Sequence, residues 1–251
     1  MKVTYNWLKD FLEIKIPPKA LADKLTMAGL EVTSLEEKDG DFIFELEVTS
    51  NRPDCLSVMG IAREVAAIMN TKLRAYSVER RAYSQKLSAK RYPLNAKILK
   101  IEIEDKKDCP LYTAKIIKDI KVGPSPDWLK RRLELVGCRS VNNIVDVTNY
   151  ILFEQGEPLH AFDLDKLVSP LASSPVSPLE IIIRRAKKDE EIITIDGVRR
   201  ALSEEILVIA SGTNRQTGKQ VNGQTGKPIA IAGIMGSKDT EVTKSTKNIL
   251  L

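Results

Sequence analysis

The chain contains one histidine, His160, and imidazole is the side chain best suited to exchange protons at neutral pH. It lies in GEPLHAFD, residues 156–163, two positions after Pro158. A lone histidine is more often structural than catalytic. A single histidine also excludes a metal site built from several histidines, and it excludes Ser-His-Asp chemistry unless His160 is the base.

A second polar group stands shortly before it, in DVTNY, residues 146–150. On a predicted helix, Asn142, Asp146 and Asn149 share one face, whereas Thr148 falls among apolar residues. A hydroxyl in an apolar stripe can simply bond the carbonyl four residues before it. From the residues alone, a structural reading and a functional reading of Thr148 both stay open.

Two glycines end an apolar segment near the C-terminus, AIAGIMG, residues 230–236. The segment reads as a buried strand that ends in a tight turn. A second reading is functional, because glycine lets a ligand approach backbone N–H groups closely. Both readings stay open at this point.

The repeated QTGK, at residues 216–219 and 224–227, resembles a phosphate-binding loop only superficially. The P-loop spacing GxxxxGK[ST] fails, because Val221 stands five positions before Gly226 and Pro228 follows Lys227. We expect a flexible surface loop over 211–227, without a nucleotide site.

Composition excludes several classes of protein. Of the 251 residues, 43% are apolar and 29% charged, which rules out disordered, collagen-like and coiled-coil chains. The net charge of +5 permits a polyanionic partner without proving one. Three cysteines without a CxxC pair suit a reducing compartment and argue against a zinc ribbon. No apolar run approaches the roughly 18 residues of a membrane span, so we predict a cytosolic protein with no membrane partner and no metal site.

Periodicity predicts two regions of different character. In the first, helices over 5–12, 18–28 and 58–70 accompany a hairpin of strands over 30–35 and 42–48. A polar stretch over 75–97 reads as a linker. The further elements are strands over 98–103, 112–122, 179–185, 191–195, 206–210 and 229–234, with helices over 125–137 and 142–155. Ser125 is the predicted N-cap of the first of these helices, and Asp196-Gly197 predicts a hairpin turn between the strands over 191–195 and 206–210. The Pro- and Ser-rich stretch over 169–178 predicts an exposed loop. We predict an α+β fold whose small helix and hairpin domain, residues 1–85, precedes a mixed α/β domain, residues 95–251.

Four motifs together resemble those of bacterial phenylalanyl-tRNA synthetase β subunits, in the same order. They are TSNRPDCL at 49–56, VDVTNY at 145–150, GEPLHAFD at 156–163 and AIAGIMG at 230–236. The resemblance covers nearly the whole chain. It implies a B1-like domain for residues 1–85 and a B3/B4-like editing domain for residues 95–251.

The chain departs from the family pattern in two places. The OB-fold tRNA-binding domain that family members insert between the two N-terminal strands is replaced by a turn over 38–41. The later β-subunit domains are also missing, and the chain ends at Leu250-Leu251, just before the glutamate that recognises the tyrosine hydroxyl in the family. We therefore expect an incomplete editing domain with weak or absent activity on its own.

The resemblance implies a reaction that removes a wrongly attached amino acid. A synthetic pocket built for phenylalanine rejects an added hydroxyl only weakly, so tyrosine is attached to tRNA(Phe) at some rate. A second site must hydrolyse that ester. The residues implied for this editing pocket, which would take a tyrosine or phenylalanine moiety, are Thr148, Asn149, His160, Ala161, Ala232 and Gly233. His160 is the implied catalytic residue, and whether it acts as base or orients the water or the amino group stays open.

The resemblance also implies partners and cofactors. The partners are the synthetase α subunit, in an α2β2 heterotetramer, and tRNA(Phe). ATP and Mg²⁺ are expected for the whole enzyme, and none is expected on this chain. Two alternatives remain: a non-catalytic scaffold for assembly and tRNA binding, and a free-standing trans-editing protein.

Overall fold

The computed structural model of the protein describes residues 1–74, 99–167, 179–212 and 226–251. The predicted linker over 75–97, the predicted loop over 169–178 and all but the last two residues of the QTGK repeats lie outside the described residues. The chain divides into two units. The first comprises Met1–Ala89 and Pro124–Leu159, and the second comprises Lys90–Gly123 and His160–Leu251.

In its described residues, the first unit has five α-helices around a small antiparallel sheet with strand order β1-β3-β2. Its strands are β1 (Lys2–Thr4), β2 (Val32–Lys38) and β3 (Asp41–Leu46). Its helices are α1 (Tyr5–Phe11), α2 (Pro18–Met27), α3 (Val58–Ile68), α4 (Asp127–Leu135) and α5 (Asn143–Gln155). The predicted N-terminal helices and hairpin are thereby confirmed.

Local sequence explains where these helices begin and end. Thr4 caps α1 by accepting a hydrogen bond from the Trp7 N–H, and Ser57 caps α3 by accepting one from the Gly60 N–H. Gly156 ends α5 in the left-handed region, with φ +79°. The apolar faces of the helices meet over the sheet in one core. Its fully buried side chains include Trp7, Leu8, Leu21, Leu25, Phe44, Ile61 and Val65.

The second unit is built mainly from strands. A five-stranded sheet has the order β12-β11-β10-β7-β4, with β4 and β7 parallel, and a three-stranded sheet has the order β5-β13-β6. The strands are β4 (Leu99–Ile103), β5 (Ile116–Ile117), β6 (Phe162–Asp163), β7 (Leu179–Arg185), β8 (Glu190–Ile193), β9 (Arg199–Leu202), β10 (Leu207–Ser211), β11 (Lys227–Ile231), β12 (Met235–Gly236) and β13 (Ile249–Leu250). A short helix, α6 (Leu164–Leu167), follows β6. Buried isoleucines of β7, β10 and β11 form the core of the larger sheet.

Two predicted strands and one predicted hairpin differ from the structure. The strand expected over 112–122 is only β5, because its partner β13 offers two residues and Asp119 has φ +57°, outside the β region. The turn at Asp196-Gly197 forms as predicted, but the strand after it is β9, whose polar residues gave no apolar alternation. The strand expected over 229–234 ends at Ile231, where the chain turns into β12.

The units do not coincide with the domain bounds predicted from sequence. Helices α4 and α5, assigned to the second domain by their place in the sequence, belong to the first unit. The reason is their apolar faces: Val136, Tyr150 and Phe153 pack on the same core as the N-terminal helices. The α+β class is confirmed.

In the part of the chain that the structure describes, no helix combines the length and the apolar character needed to cross a bilayer.

Candidate functional site

Helix α5 carries Thr148 and Asn149. The Thr148 side chain is buried, and its hydroxyl donates a hydrogen bond to the Val145 carbonyl at 2.7 Å, three residues back. The hydroxyl donor is thus satisfied within the helix, while the oxygen can still accept a hydrogen bond. The Asn149 side chain is half-buried, and its amide makes no hydrogen bond to other described residues. Its donors and acceptor are therefore available to a ligand.

Two features of the sequence fix the start of α5. Asn142 is the N-cap, and its side chain accepts hydrogen bonds from the N–H groups of Ile144 and Val145, both at 3.0 Å. The fully buried carboxylate of Asp146 accepts hydrogen bonds from the Ser125 hydroxyl, from the Ser140 hydroxyl at 2.5 Å and from the Val141 N–H at 2.8 Å.

The predicted capping of α4 by Ser125 is therefore wrong. Pro126 occupies the N-cap position and has no side-chain acceptor for a cap, while the Ser125 hydroxyl donates to Asp146.

His160 lies in the second unit, immediately before β6. Its ring packs at 59° to the ring of buried Phe162, with a centroid separation of 4.5 Å. Burial lowers the pKa of His160 below its ordinary value of 6.5, so the imidazole is neutral at pH 7. Neither ring nitrogen bonds another residue within the described ranges. A neutral imidazole with both nitrogens available can accept a proton from, or hold, a water molecule.

Gly236, in β12, provides the space that His160 occupies. A β-carbon built on Gly236 would lie 2.2 Å from Nε2 and 2.3 Å from Cε1 of His160. Real β-carbons do not approach that closely, so a side chain at this position would displace the ring. The sequence marked Gly236 as one of two glycines ending a strand, but it gave no sign of this contact.

The turn between β11 and β12 contains the other two predicted residues of this unit, Ala232 and Gly233. The Ala232 N–H donates to the Leu207 carbonyl at 2.9 Å and is not available to a ligand. Gly233 is exposed, has φ +71°, and its N–H donates to no other described residue. The tight turn is present, and it leaves the N–H of exposed Gly233 without a hydrogen-bond partner among the described residues. The functional reading of this segment stays a prediction.

The predicted site residues are thus distributed over both units. Thr148 and Asn149 belong to the first, and His160, Ala161, Ala232 and Gly233 belong to the second. Within the second unit, the His160 ring lies against β12, the strand that directly follows the Ala232–Gly233 turn. Convergence of all six residues on one pocket stays a prediction.

The His160 imidazole and the Gly233 N–H are groups of the kinds that ester hydrolysis requires. An aminoacyl ester is hydrolysed when a positioned base or hydrogen-bond partner activates a water molecule and a donor stabilises the oxygen that becomes negative. A neutral imidazole is a group of the first kind, and an exposed backbone N–H at a glycine is a donor of the second kind. In the described residues, His160 and Gly233 offer these groups without an internal partner.

Arg52 of the NRPD motif, residues 51–54, forms two ion pairs in the first unit. Arg52 bonds Asp54 at 2.8 Å and Glu64 at 2.8 Å, and the guanidinium lowers the pKa of Asp54 to about 2. Donor atoms of Asp54, Cys55 and Glu64 lie within 4.8 Å of one another. Arg52 already neutralises both carboxylates, and burial raises the pKa of Cys55 to about 11. These contacts tie the turn to α3 and do not favour a metal ion.

Comparison with known proteins identifies a family and its relatives. The sequence profile of the B3/4 domain family matches residues 108–251. The phenylalanine–tRNA ligase β subunit of Carboxydothermus hydrogenoformans is 44% identical over 238 residues, covering 94% of this chain and 25% of that protein. The corresponding subunit of Rhodopirellula baltica is 37% identical over 251 residues, covering 100% of this chain and 32% of that protein.

A solved structure gives a weaker likeness. An N-terminal fragment of the phenylalanyl-tRNA synthetase β subunit from Pyrococcus horikoshii aligns with a TM-score of 0.43 and 17% identity, covering 100% of this chain and 66% of that one. The chain thus spans about a quarter to a third of the length of the curated relatives it matches.

Proposed function

The chain belongs to the B3/4 domain family, and from that premise we propose that it is the editing part of a phenylalanine–tRNA ligase β subunit. The proposed reaction is hydrolysis of the ester that joins tyrosine to tRNA(Phe). Sequence identity of 44% to such a subunit over 94% of the chain supports this assignment. The whole enzyme would attach phenylalanine to tRNA(Phe) in the cytoplasm.

One observation carries the proposal. His160 is neutral, makes no hydrogen bond to other described residues, and lies against Gly236 in the strand that follows the exposed Gly233 N–H. His160 is only partly buried, and neither ring nitrogen is a buried unpaired atom, so water or a ligand can reach the ring. The available nitrogens therefore favour a ligand or a water molecule as the partner of His160.

The proposed roles of the residues follow from their chemistry. His160 orients or deprotonates the attacking water, and the Gly233 N–H donates to the oxygen that becomes negative. Ala161 and Ala232 limit the size of the group that can approach these atoms. Thr148 and Asn149 are proposed to bind the aminoacyl group through the hydroxyl oxygen and the side-chain amide.

The rest of the enzyme supplies the synthetic step. We propose a synthetase α subunit and tRNA(Phe) as partners in an α2β2 assembly. ATP and Mg²⁺ would serve phenylalanine activation on the α subunit. The residues discussed in this chain act on the ester alone, so the two activities can be separated by substitution.

The test uses the complete ligase with His160→Ala. We expect tyrosyl-tRNA(Phe) to accumulate during charging with tyrosine, whereas the rate of phenylalanine charging stays within about twofold of the unsubstituted enzyme. Asp23→Ala, at an exposed position of α2, is the control and should change neither rate. Loss of phenylalanine charging without accumulation of tyrosyl-tRNA would contradict the proposal and favour a purely structural contribution.

A further inference from the structure

Helix α5 is held from one side by a residue far away in the sequence, Trp7 of α1. We propose that Trp7 is a positioning residue for Thr148 and Asn149, acting through Tyr150 and Glu154. The inference rests on the proposed function, because it assigns Thr148 and Asn149 a role in binding the ester. All the contacts that carry it lie within the first unit.

Trp7 makes two different contacts with α5. Its indole ring stacks on the Tyr150 ring, with centroids 5.0 Å apart and planes inclined by 16°. Its Nε1–H donates a hydrogen bond to the Glu154 carboxylate at 3.1 Å. The Tyr150 hydroxyl donates to the same oxygen of Glu154. A ring stack and two converging donors thus fix one face of α5.

Arg132 closes this arrangement from the other side. It belongs to α4, donates to the Tyr150 hydroxyl at 3.2 Å and forms an ion pair with Asp10 of α1 at 2.5 Å. Trp7 and Glu154 are buried, with 0% and 5% exposure. Loss of a hydrogen bond to a buried carboxylate is costly, so the contacts should hold the helix in one orientation.

Helical geometry connects this anchored face to the proposed binding residues. Successive side chains of an α-helix are about 100° apart around its axis. Tyr150 and Glu154 therefore share a face, and Thr148 lies about 160° around the helix from Tyr150. Rotation of α5 about its axis would move Thr148 in the opposite direction to Tyr150. Fixing Tyr150 against Trp7 consequently fixes the direction in which Thr148 and Asn149 are presented.

The inference changes the role of the N-terminal residues. Trp7 lies outside residues 108–251, the part of the chain that matches the B3/4 family. Helices α4 and α5 are within that part, yet they pack on the core formed by residues near the N-terminus. The proposal thus gives residues near the N-terminus a part in presenting Thr148 and Asn149.

A double-substitution cycle in the complete ligase separates positioning from general stability. Trp7→Phe keeps an aromatic ring for the stack and removes the N–H donor. We expect it to lower kcat for tyrosyl-tRNA(Phe) hydrolysis by about tenfold, since a displacement of about 1 Å can reduce a rate by about 100-fold. In the Thr148→Ala background, the same change should lower kcat by a smaller factor, about threefold, because one of the two positioned groups is already absent.

The matched control is Trp128→Phe. Trp128 also contacts the Tyr150 ring, but its indole N–H bonds no other described residue and 56% of the residue is exposed. We expect no more than about a twofold change in hydrolysis. If Trp7→Phe does not fold, Glu154→Gln replaces it in the cycle, since glutamine keeps the size of the side chain and weakens the acceptor.

Amide hydrogen exchange provides a reading that does not depend on activity. Denaturant is used to give the two variants the same free energy of global unfolding. Under these conditions, the backbone amides of Thr148 and Asn149 should exchange at least about tenfold faster in Trp7→Phe than in Trp128→Phe. Equal loss of hydrolysis in both Thr148 backgrounds, or unchanged exchange in α5, would overturn the inference. If the unsubstituted ligase does not hydrolyse the ester, the proposed function fails, and hydrogen exchange alone decides whether Trp7 positions α5.

Discussion

The His160 imidazole lies directly over the α-carbon of Gly236, so that a β-carbon at position 236 would stand 2.2 Å from Nε2. The two residues are 76 positions apart in the sequence, and Gly236 lies in β12, which pairs with β11 in the larger sheet of the second unit. The absence of a side chain at Gly236 therefore determines where the only imidazole of the chain can be placed.

Gly236→Ala tests this relationship directly. We expect the added methyl group to displace the His160 ring and to lower ester hydrolysis in the complete ligase by about tenfold or more. Because the chain has one histidine, its imidazole signals in NMR spectra of the chain belong to His160 without assignment. Those signals should shift in Gly236→Ala.

Gly123→Ala is the matched control for that substitution. A β-carbon at Gly123 would meet nothing within 4 Å, and the backbone there is not in the left-handed region. Its imidazole signals should coincide with those of the unsubstituted chain. Unchanged His160 signals in Gly236→Ala would show that the ring does not lie where the structure places it.

The titration of His160 gives a second prediction. Burial lowers its pKa below 6.5, so NMR titration should place the midpoint below 6.5 and the imidazole should be neutral at pH 7. At pH values between the folded-state and unfolded-state pKa of His160, the unfolded chain binds more protons than the folded chain. The contribution of His160 to the free energy of unfolding is therefore constant above about pH 6.5 and decreases as the pH falls through the folded pKa.

His160→Gln provides the comparison for this pH dependence. Carboxylates titrate in both proteins, so the difference in unfolding free energy between the two, measured from pH 5 to 8, isolates the histidine. The difference should change below about pH 6.5 in the direction that disfavours the histidine protein. A midpoint at or above 6.5 would contradict the burial of the ring.

Asp146 should be one of the residues on which the stability of the first unit depends most. Its buried carboxylate accepts hydrogen bonds from Ser125, Ser140 and the Val141 N–H. Asp146→Ala leaves these donors without an acceptor and should lower the free energy of unfolding by roughly 3 kcal/mol, measured by urea denaturation. Asp23→Ala, at an exposed position, should change it by less than about 0.5 kcal/mol. Similar values for the two variants would refute the assigned role of Asp146.

The cysteines should differ in their reactivity. Cys55 is fully buried, and burial raises its pKa to about 11, whereas Cys109 is half-buried. The thiolate is the reactive form, so iodoacetamide at pH 8 should modify Cys109 and leave Cys55 unmodified in the folded protein. Mass spectrometry of tryptic peptides measures both, and urea-unfolded protein is the control in which both react. Early modification of Cys55 would contradict its burial.

Sequence patterns predicted the elements whose stabilisation is local. The helices near the N-terminus and α5 combine apolar periodicity with terminal signals such as Ser57 and Gly156, and they form close to their predicted bounds. Strand β9 was missed because its polar residues lie in an exposed two-stranded ribbon. Ser125 was misread as a cap because its true partner, Asp146, is 21 residues away.

The candidate site was predictable only in part for the same reason. His160 could be singled out by its type, and Gly233 by its place at the end of an apolar segment. The contact of Gly236 with His160 and the stack of Trp7 on Tyr150 depend on tertiary packing, which no spacing in the sequence reveals. The assignment of α4 and α5 to the first unit depends on packing in the same way.

The central claim is tested most directly by single-turnover hydrolysis of preformed tyrosyl-tRNA(Phe) by the complete ligase, with and without His160→Ala. The account predicts that the unsubstituted enzyme hydrolyses the tyrosyl ester much faster than the phenylalanyl ester, and that removing the imidazole slows hydrolysis by about a hundredfold. Hydrolysis of tyrosyl-tRNA(Phe) at an unchanged rate in His160→Ala would contradict it.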